Sequence, residues 1–183
     1  MISEDINLKY FIVSYDNHLL DKNALLDSIK NSNSILADGI SMKGKSDYYI
    51  SNEVPRIYQS FVISKLYPVI SNVLKPYYDK IGLSNYWFQQ YEINHYHSWH
   101  RHLMFEYAAV YYLELQDSNE GTWFRNDMTK EIIKPNVKEG DILIFPGHIS
   151  HSSPPIISNK RKSIISMNIC ARYEGESYGS YNF

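Results

Sequence analysis

Beyond Gly82 the chain is written in short aromatic or β-branched runs, YWFQQYEIN, YAAVYYLEL, GTWFRN, EIIKP, GDILIFP and KSIISMNICA, each bounded by turn residues. Runs of this length and make-up predict strands, and six or more of them within about ninety residues predict a sandwich or small barrel. The first part of the chain has a different rhythm. Residues 8–14 (LKYFIVS) read as a strand, and the stretch to Ile29 carries apolar residues at helical spacing behind Asp21, the expected N-cap. Residues 33–52 are polar and rich in serine and glycine, which predicts a loop of the kind that often covers a site. From Pro55 to Ile81 apolar residues fall three or four apart, interrupted by Pro68 and Pro76, so two helices covering one face of a sheet are expected.

The pattern therefore predicts one domain, 1–183. It comprises an N-terminal strand and supporting helices over 1–82 with the loop at 33–52, a β core over 83–172, and a tail over 173–183 too rich in glycine and serine to assign. The fold class expected from the pattern is mainly β with N-terminal helices on one face, the strands closing a sandwich or small barrel.

Composition narrows the chemistry. The chain has 183 residues, 44% of them hydrophobic and 21% charged, which is ordinary for a globular protein of one core. No apolar run approaches the roughly 20 residues of a membrane span. The first residues carry early acids and lack a basic start, apolar centre and small-residue cleavage site, so a cytoplasmic address is expected. Net charge is −2, without the broad basic signature of a nucleic-acid binder. Cys170 is the single cysteine, so a metal would have to sit on His, Asp or Glu.

Histidine supplies the candidate. Four of the seven stand in NHYHSWHRH, and His151 follows GDILIFPGHIS, a buried strand and a turn. Residues two apart on a strand share a face, so His100 with His102, or His95 with His97, can approach one metal from one side, with His151 brought from across a small barrel. Histidine ligands without thiolate, with positions left open, suit non-haem iron better than a closed zinc site.

At these residues the sequence resembles the 2-oxoglutarate and Fe(II)-dependent oxygenases, in particular a small phage and bacterial branch with an HxH...H pattern. WHRHLMFEYAAVYYLEL resembles that branch's histidine pair and VYYL strand, GTWFRN its next glycine-led strand, KEGDILIFPGHISHSSPP its "GDLLLFPSWLLH" segment, and KSIISMN its "RISVSFN". The likeness covers roughly residues 85–170, and it implies a mainly β fold with N-terminal helices, a double-stranded β-helix (jelly-roll, cupin-like) flanked by helices on one face. It implies iron on His100 and His151, with His102 standing where most of the superfamily has a carboxylate. A three-histidine face, a two-histidine face completed by water, or recruitment of Glu106 would each answer that substitution. Glu106 lies four residues beyond His102, roughly 13 Å along an extended strand, and His102 is preferred.

The resemblance further implies a hydroxylase that couples oxidative decarboxylation of 2-oxoglutarate to oxidation of a substrate the sequence does not name. Protein side chains, free metabolites and nucleobases all suit the scaffold. Its buried carboxylate would need a cation. Lys162 falls where the family's arginine stands and shares parity with Ser166 and Asn168, whereas Arg161 offers the better carboxylate geometry, and both are candidates. Trp87, Gln89 and Tyr91 share a face and resemble the family's alternating W-N-Y. Gln89, Tyr91 and Asn168 complete the cosubstrate-binding set. His95, His97 and His148 are read as solvated residues or neighbours of the site. The rival reading is a metal-binding cupin that does not use 2-oxoglutarate: a three-histidine dioxygenase, an isomerase or a binding module. The rival has no need of a cation inside the barrel.

Overall fold

The computed structural model describes residues 9–51 and 53–175, so part of the tail assigned to 173–183 lies outside the described residues. Strand β1 (Phe11–Ser14) and helix α1 (His18–Lys30) open the chain. Helix α1 begins one turn earlier than the sequence suggested. Its N-cap is Asn17, and Asp21 sits in the first turn, where its carboxylate accepts a hydrogen bond from the Tyr15 hydroxyl and favours the helix dipole.

The expected loop at 33–52 is instead largely a hairpin, β2 (Ile35–Asp38) and β3 (Met42–Ser46). Its polar sequence hid it, because β3 bridges two strands. It pairs with β4 (Lys80–Tyr91) through Lys45 and Ser46, and with β5 (Tyr96–His100) through Met42 and Lys43. Gly44 is needed at that junction, where a Cβ would stand 2.9 Å from the Gln90 carbonyl oxygen, and the buried Ser46 hydroxyl donates to the Phe88 carbonyl at 2.8 Å. The two expected helices form one unbroken run, α2 (Gln59–Phe61), a π-helical turn (Val62–Leu66) and α3 (Tyr67–Leu74). Pro68 falls in the first turn of α3, directly after the widened turn, so its missing N–H breaks nothing, while Pro76 follows the helix end.

The remaining strands are β6 (Tyr107–Glu114), β7 (Trp123–Arg125), β8 (Ile132–Ile133), β9 (Asp141–Pro146), β10 (Ser150–Ser153) and β11 (Lys162–Arg172). Their order is β1-β9-β6-β11-β4-β3-β5-β10-β7-β8, entirely antiparallel, with β2 beside β3. This is the expected double-stranded β-helix. Alternation along its strands makes two cores. Ile165, Met167 and Ile169 of β11 pack with Phe88, Ile142 and Ile144 under the helices, against Leu66, Ile70 and Leu74. The opposite parity fills the barrel with Tyr91, Tyr112, Phe124, Phe145 and Ile164. The register Lys162↔Tyr91, Ile164↔Gln89, Ser166↔Trp87 carries the polar residues of β4 and β11 along that inner face.

Candidate metal centre and its cavity

Cross-strand pairing creates the site. In the β5–β10 ladder His100 stands directly opposite His151, and Ser153 opposite His97. The His100 and His151 ring centres are 4.2 Å apart. His102 does not arrive by strand parity as the sequence suggested, because β5 ends at His100. Its backbone N–H donates to the Gly147 carbonyl at 2.8 Å, which folds the segment after β5 back over the FPG turn. A glycine is required there, since a Cβ at 147 would stand 2.2 Å from the Phe105 carbonyl oxygen. The result is a cluster in which one ligand atom each of His100, His102 and His151 lies within 4.8 Å of the others.

The tautomers suit a metal. Nδ1–H of His100 donates to the Ser98 carbonyl at 2.8 Å, and that of His151 to the Ile149 carbonyl at 2.9 Å. His102 does the same to the Asn168 side-chain oxygen, which is oriented by the 2.7 Å bond from the Asn168 amide to Asn85. A carbonyl can only accept, so each ring carries its proton on Nδ1 and keeps the Nε2 lone pair for a ligand. Burial is the main cause of depressed ring pKa values: His100 is held down to about 4, His102 below its ordinary value and His151 well below. Three imidazoles neutral at physiological pH, with no carboxylate among them, form a face able to hold a divalent ion.

Asn168 thus touches the cluster rather than the inner cavity where the sequence reading had it bind cosubstrate. Asn168→Ala is expected to lower metal affinity about 10- to 100-fold, because His102 loses the partner that fixes its ring. Competition with a colorimetric chelator measures this, and an unchanged affinity would mean that the Gly147 contact alone positions His102. Glu106 is turned away, its carboxylate accepting the Ala171 N–H at 3.0 Å.

Deeper in the barrel lies a cation. Lys162 is 1% exposed, and its ammonium donates to the Glu120 backbone carbonyl and to Ser153 Oγ, each at 2.6 Å, 4.9 Å from the Tyr91 ring centre. Desolvation lowers its pKa to about 7. The Tyr91 hydroxyl beside it is buried without a hydrogen-bond partner. An orphaned hydroxyl and an ammonium satisfied by neutral oxygens mark a place for an anion. Arg161 is not there. It faces outward and makes a two-pronged pair with Glu114 at 2.8 and 3.0 Å. Arg161→Ala should therefore cost no more than about 1 kcal/mol of stability in a denaturant titration, as exposed pairs do. A larger loss would give the pair a structural role.

Gln89 lines the same cavity but turns its amide toward His97 Nδ1 at 3.3 Å and Met42, while its carbonyl accepts from Ser166. His97, which the sequence reading set aside, is stacked on His100 with ring centres 3.9 Å apart. The alternation His95-x-His97 held no signal for which would face in. His95 instead accepts the Glu92 N–H ahead of the strand, and His148 is exposed. Outside the cluster a cleft of about 250 Å³ opens between Tyr48, Tyr49, Trp87, Arg101 and Met104.

No family model and no curated protein matches the sequence. Solved structures do match. The viral collagen prolyl hydroxylase of Paramecium bursaria Chlorella virus-1, in complex with 2-oxoglutarate, shares 16% identity over 87% of this chain and 94% of its own, with a TM-score of 0.59. A 2OG-Fe(II) oxygenase family oxidoreductase from Burkholderia pseudomallei gives 0.70 at 5% identity over 90% and 88%, and HygX from Streptomyces hygroscopicus, with nickel and 2-oxoglutarate bound, 0.67 at 9% over 90% and 83%. The chain has the fold of these oxygenases. Among the described residues no helix is long and apolar enough to cross a membrane.

Proposed function

We propose that this protein is an Fe(II)- and 2-oxoglutarate-dependent oxygenase that couples decarboxylation of 2-oxoglutarate to oxidation, by hydroxylation, of a second substrate. The observation that carries the proposal is the pairing of a three-imidazole cluster with a buried ammonium, hydrogen-bonded directly only to neutral oxygens, in one barrel. His100, His102 and His151 would hold the iron, Lys162 the distal carboxylate of the cosubstrate, and Tyr91 a hydrogen bond to it. Bound together, iron and 2-oxoglutarate supply the oxygen activation and the oxidising power. The chain's own residues supply the rest. Ser98, Ile149 and Asn168 keep the imidazole protons on Nδ1. Phe145, Ile164 and Tyr91 line an apolar wall of low polarisability that strengthens the Lys162–carboxylate attraction. The three-histidine face also favours a cupin dioxygenase that dispenses with 2-oxoglutarate, and Lys162 separates the two readings, since such an enzyme has no use for a buried cation.

Anaerobic addition of Fe(II) and then 2-oxoglutarate tests the proposal. A visible charge-transfer band should grow with stoichiometric cosubstrate, and iron binding without that band would leave the cupin reading. The pKa of Lys162 adds a sign. Below about pH 7 the ammonium is already protonated in the free protein, whereas above it binding must take up a proton. Affinity for 2-oxoglutarate is therefore expected to fall by up to about tenfold per pH unit above pH 7, until the raised pKa of the complex is reached. Calorimetry in buffers of different ionisation enthalpy should detect proton uptake on that limb and none below it. A flat affinity across the range contradicts the assignment.

A further inference from the structure

We infer that the cleft outside the histidine cluster takes an uncharged, flat ring substrate and holds that ring's hydrogen-bond acceptor on His97, an inference that rests on the oxygenase reading and names its substrate class. The cleft is walled on one side by rings. Tyr48 packs edge-to-face on Trp87 at 5.0 Å and on Tyr49 at 5.1 Å, and Trp87 in turn stacks on His102 with their planes within 10° of parallel. Tyr48 and Tyr49 remain 51% and 58% exposed, so their surfaces are offered rather than used up in packing. A flat π-system gains from offset or edge contacts with such a wall in a way that a saturated group of equal size does not.

Charge excludes the other occupants of aromatic sites. No aspartate or glutamate lines the cleft, so a cation would meet only the ring faces, beside a metal whose three imidazoles bring no negative charge. For an anion the one charged side chain is Arg101, and it is already paired with Asp127.

His97 differs from the cluster in one hydrogen bond. Its Nδ1 receives the Gln89 amide at 3.3 Å, with the amide's orientation fixed by the Met42 sulfur, which can only accept and takes an N–H of the same amide at 3.5 Å. With Nδ1 accepting, the neutral ring carries its proton on Nε2 and is a donor, where the three cluster rings keep an Nε2 lone pair. It lines both the barrel cavity and the cleft, and so stands at the passage between them.

The test uses the full chain loaded with Fe(II) and 2-oxoglutarate under nitrogen, read by tryptophan fluorescence and by the position of the chelate band. Benzamide, an uncharged ring with a carbonyl acceptor, should perturb both saturably. Cyclohexanecarboxamide, benzoate and benzyltrimethylammonium should each bind at least about tenfold more weakly. The double variant Tyr48→Ala, Tyr49→Ala should lose about tenfold in benzamide affinity while the band still forms. His97→Phe keeps a ring on His100 and removes the donor, and a similar loss is expected with iron loading retained. Uridine and N-acetylphenylalaninamide then distinguish a base from an aromatic side chain as the source of the ring. Equal binding of the saturated and aromatic amides, tighter binding of the cation or of benzoate, or an unchanged His97→Phe overturns the inference. Failure of the chelate band to form would instead remove the oxygenase reading, and the fluorescence titration of the protein alone would still decide what the cleft accepts.

Discussion

Replacing His151 by alanine is expected to abolish stoichiometric Fe(II) binding while leaving the barrel folded. His151 is the most buried of the three imidazoles, at 5% exposure, and its ring stands 4.2 Å from that of His100 and 4.7 Å from Phe145. A face of three neutral donors has none to spare. Loss of one leaves two nitrogens and water, and the affinity should drop by more than the 10- to 100-fold that follows from disturbing a ligand's hydrogen-bond partner. The fold should survive because the imidazole itself contributes little to holding the strands. Its Nδ1 bond is to the carbonyl of Ile149, two residues away on its own chain segment, and the backbone pairings of β10 with β5 and β7 do not need the side chain. His100→Ala should behave alike. Metal analysis after gel filtration, beside a far-ultraviolet dichroism melt, gives the answer, and full iron occupancy in either variant would sink the metal assignment.

Lys162→Ala is expected to weaken 2-oxoglutarate binding by roughly a hundredfold or more while iron still binds. Removing one partner of a buried charge pair costs about 3–5 kcal/mol, and each 1.4 kcal/mol is a factor of ten. The full effect is expected because Lys162 stands directly behind Tyr91 and Ser153, which line that cavity, and no lysine or arginine is among the lining residues to replace it. Lys162→Met, which keeps the space filled, should lose as much affinity and thereby separates charge from packing. Titration of 2-oxoglutarate into the iron-loaded variants under nitrogen is the measurement. Arg161→Ala serves as the outward-facing control, and an equal loss there would mean that the pocket is held by something other than the Lys162 ammonium.

The Lys162 prediction depends on strand parity, which is the part of the structure that local sequence encodes most directly, whereas the His151 prediction depends on the β5–β10 register. Alternation along KSIISMN put Lys162 on one face with Ser166 and Asn168 but left Arg161 as a competitor, and only the packing turns Arg161 outward onto Glu114. The same period put Trp87, Gln89 and Tyr91 on one face of β4. A sandwich or small barrel followed from short aromatic strands separated by turns, the jelly-roll class from the family resemblance, and the helices from apolar spacing. These features are set by neighbours in the chain, since the side-chain period of a strand and the spacing of a helix are properties of the backbone itself.

What only the tertiary structure decided are the relations between segments distant in sequence. Strand β3 is polar in sequence and is a strand because it fills the gap between β4 and β5, which no local pattern announces. His102 enters the cluster through Gly147 and Asn168, residues 45 and 66 positions away in the numbering of the chain. His97 outranks His95 and His148 because the β5–β10 register turns it inward beside His100. A histidine's chemistry is set by which of its nitrogens meets a carbonyl, a lone pair or an amide. That choice belongs to the packing of the barrel, so the sequence by itself determined which residue types were available and the fold determined what each of them does.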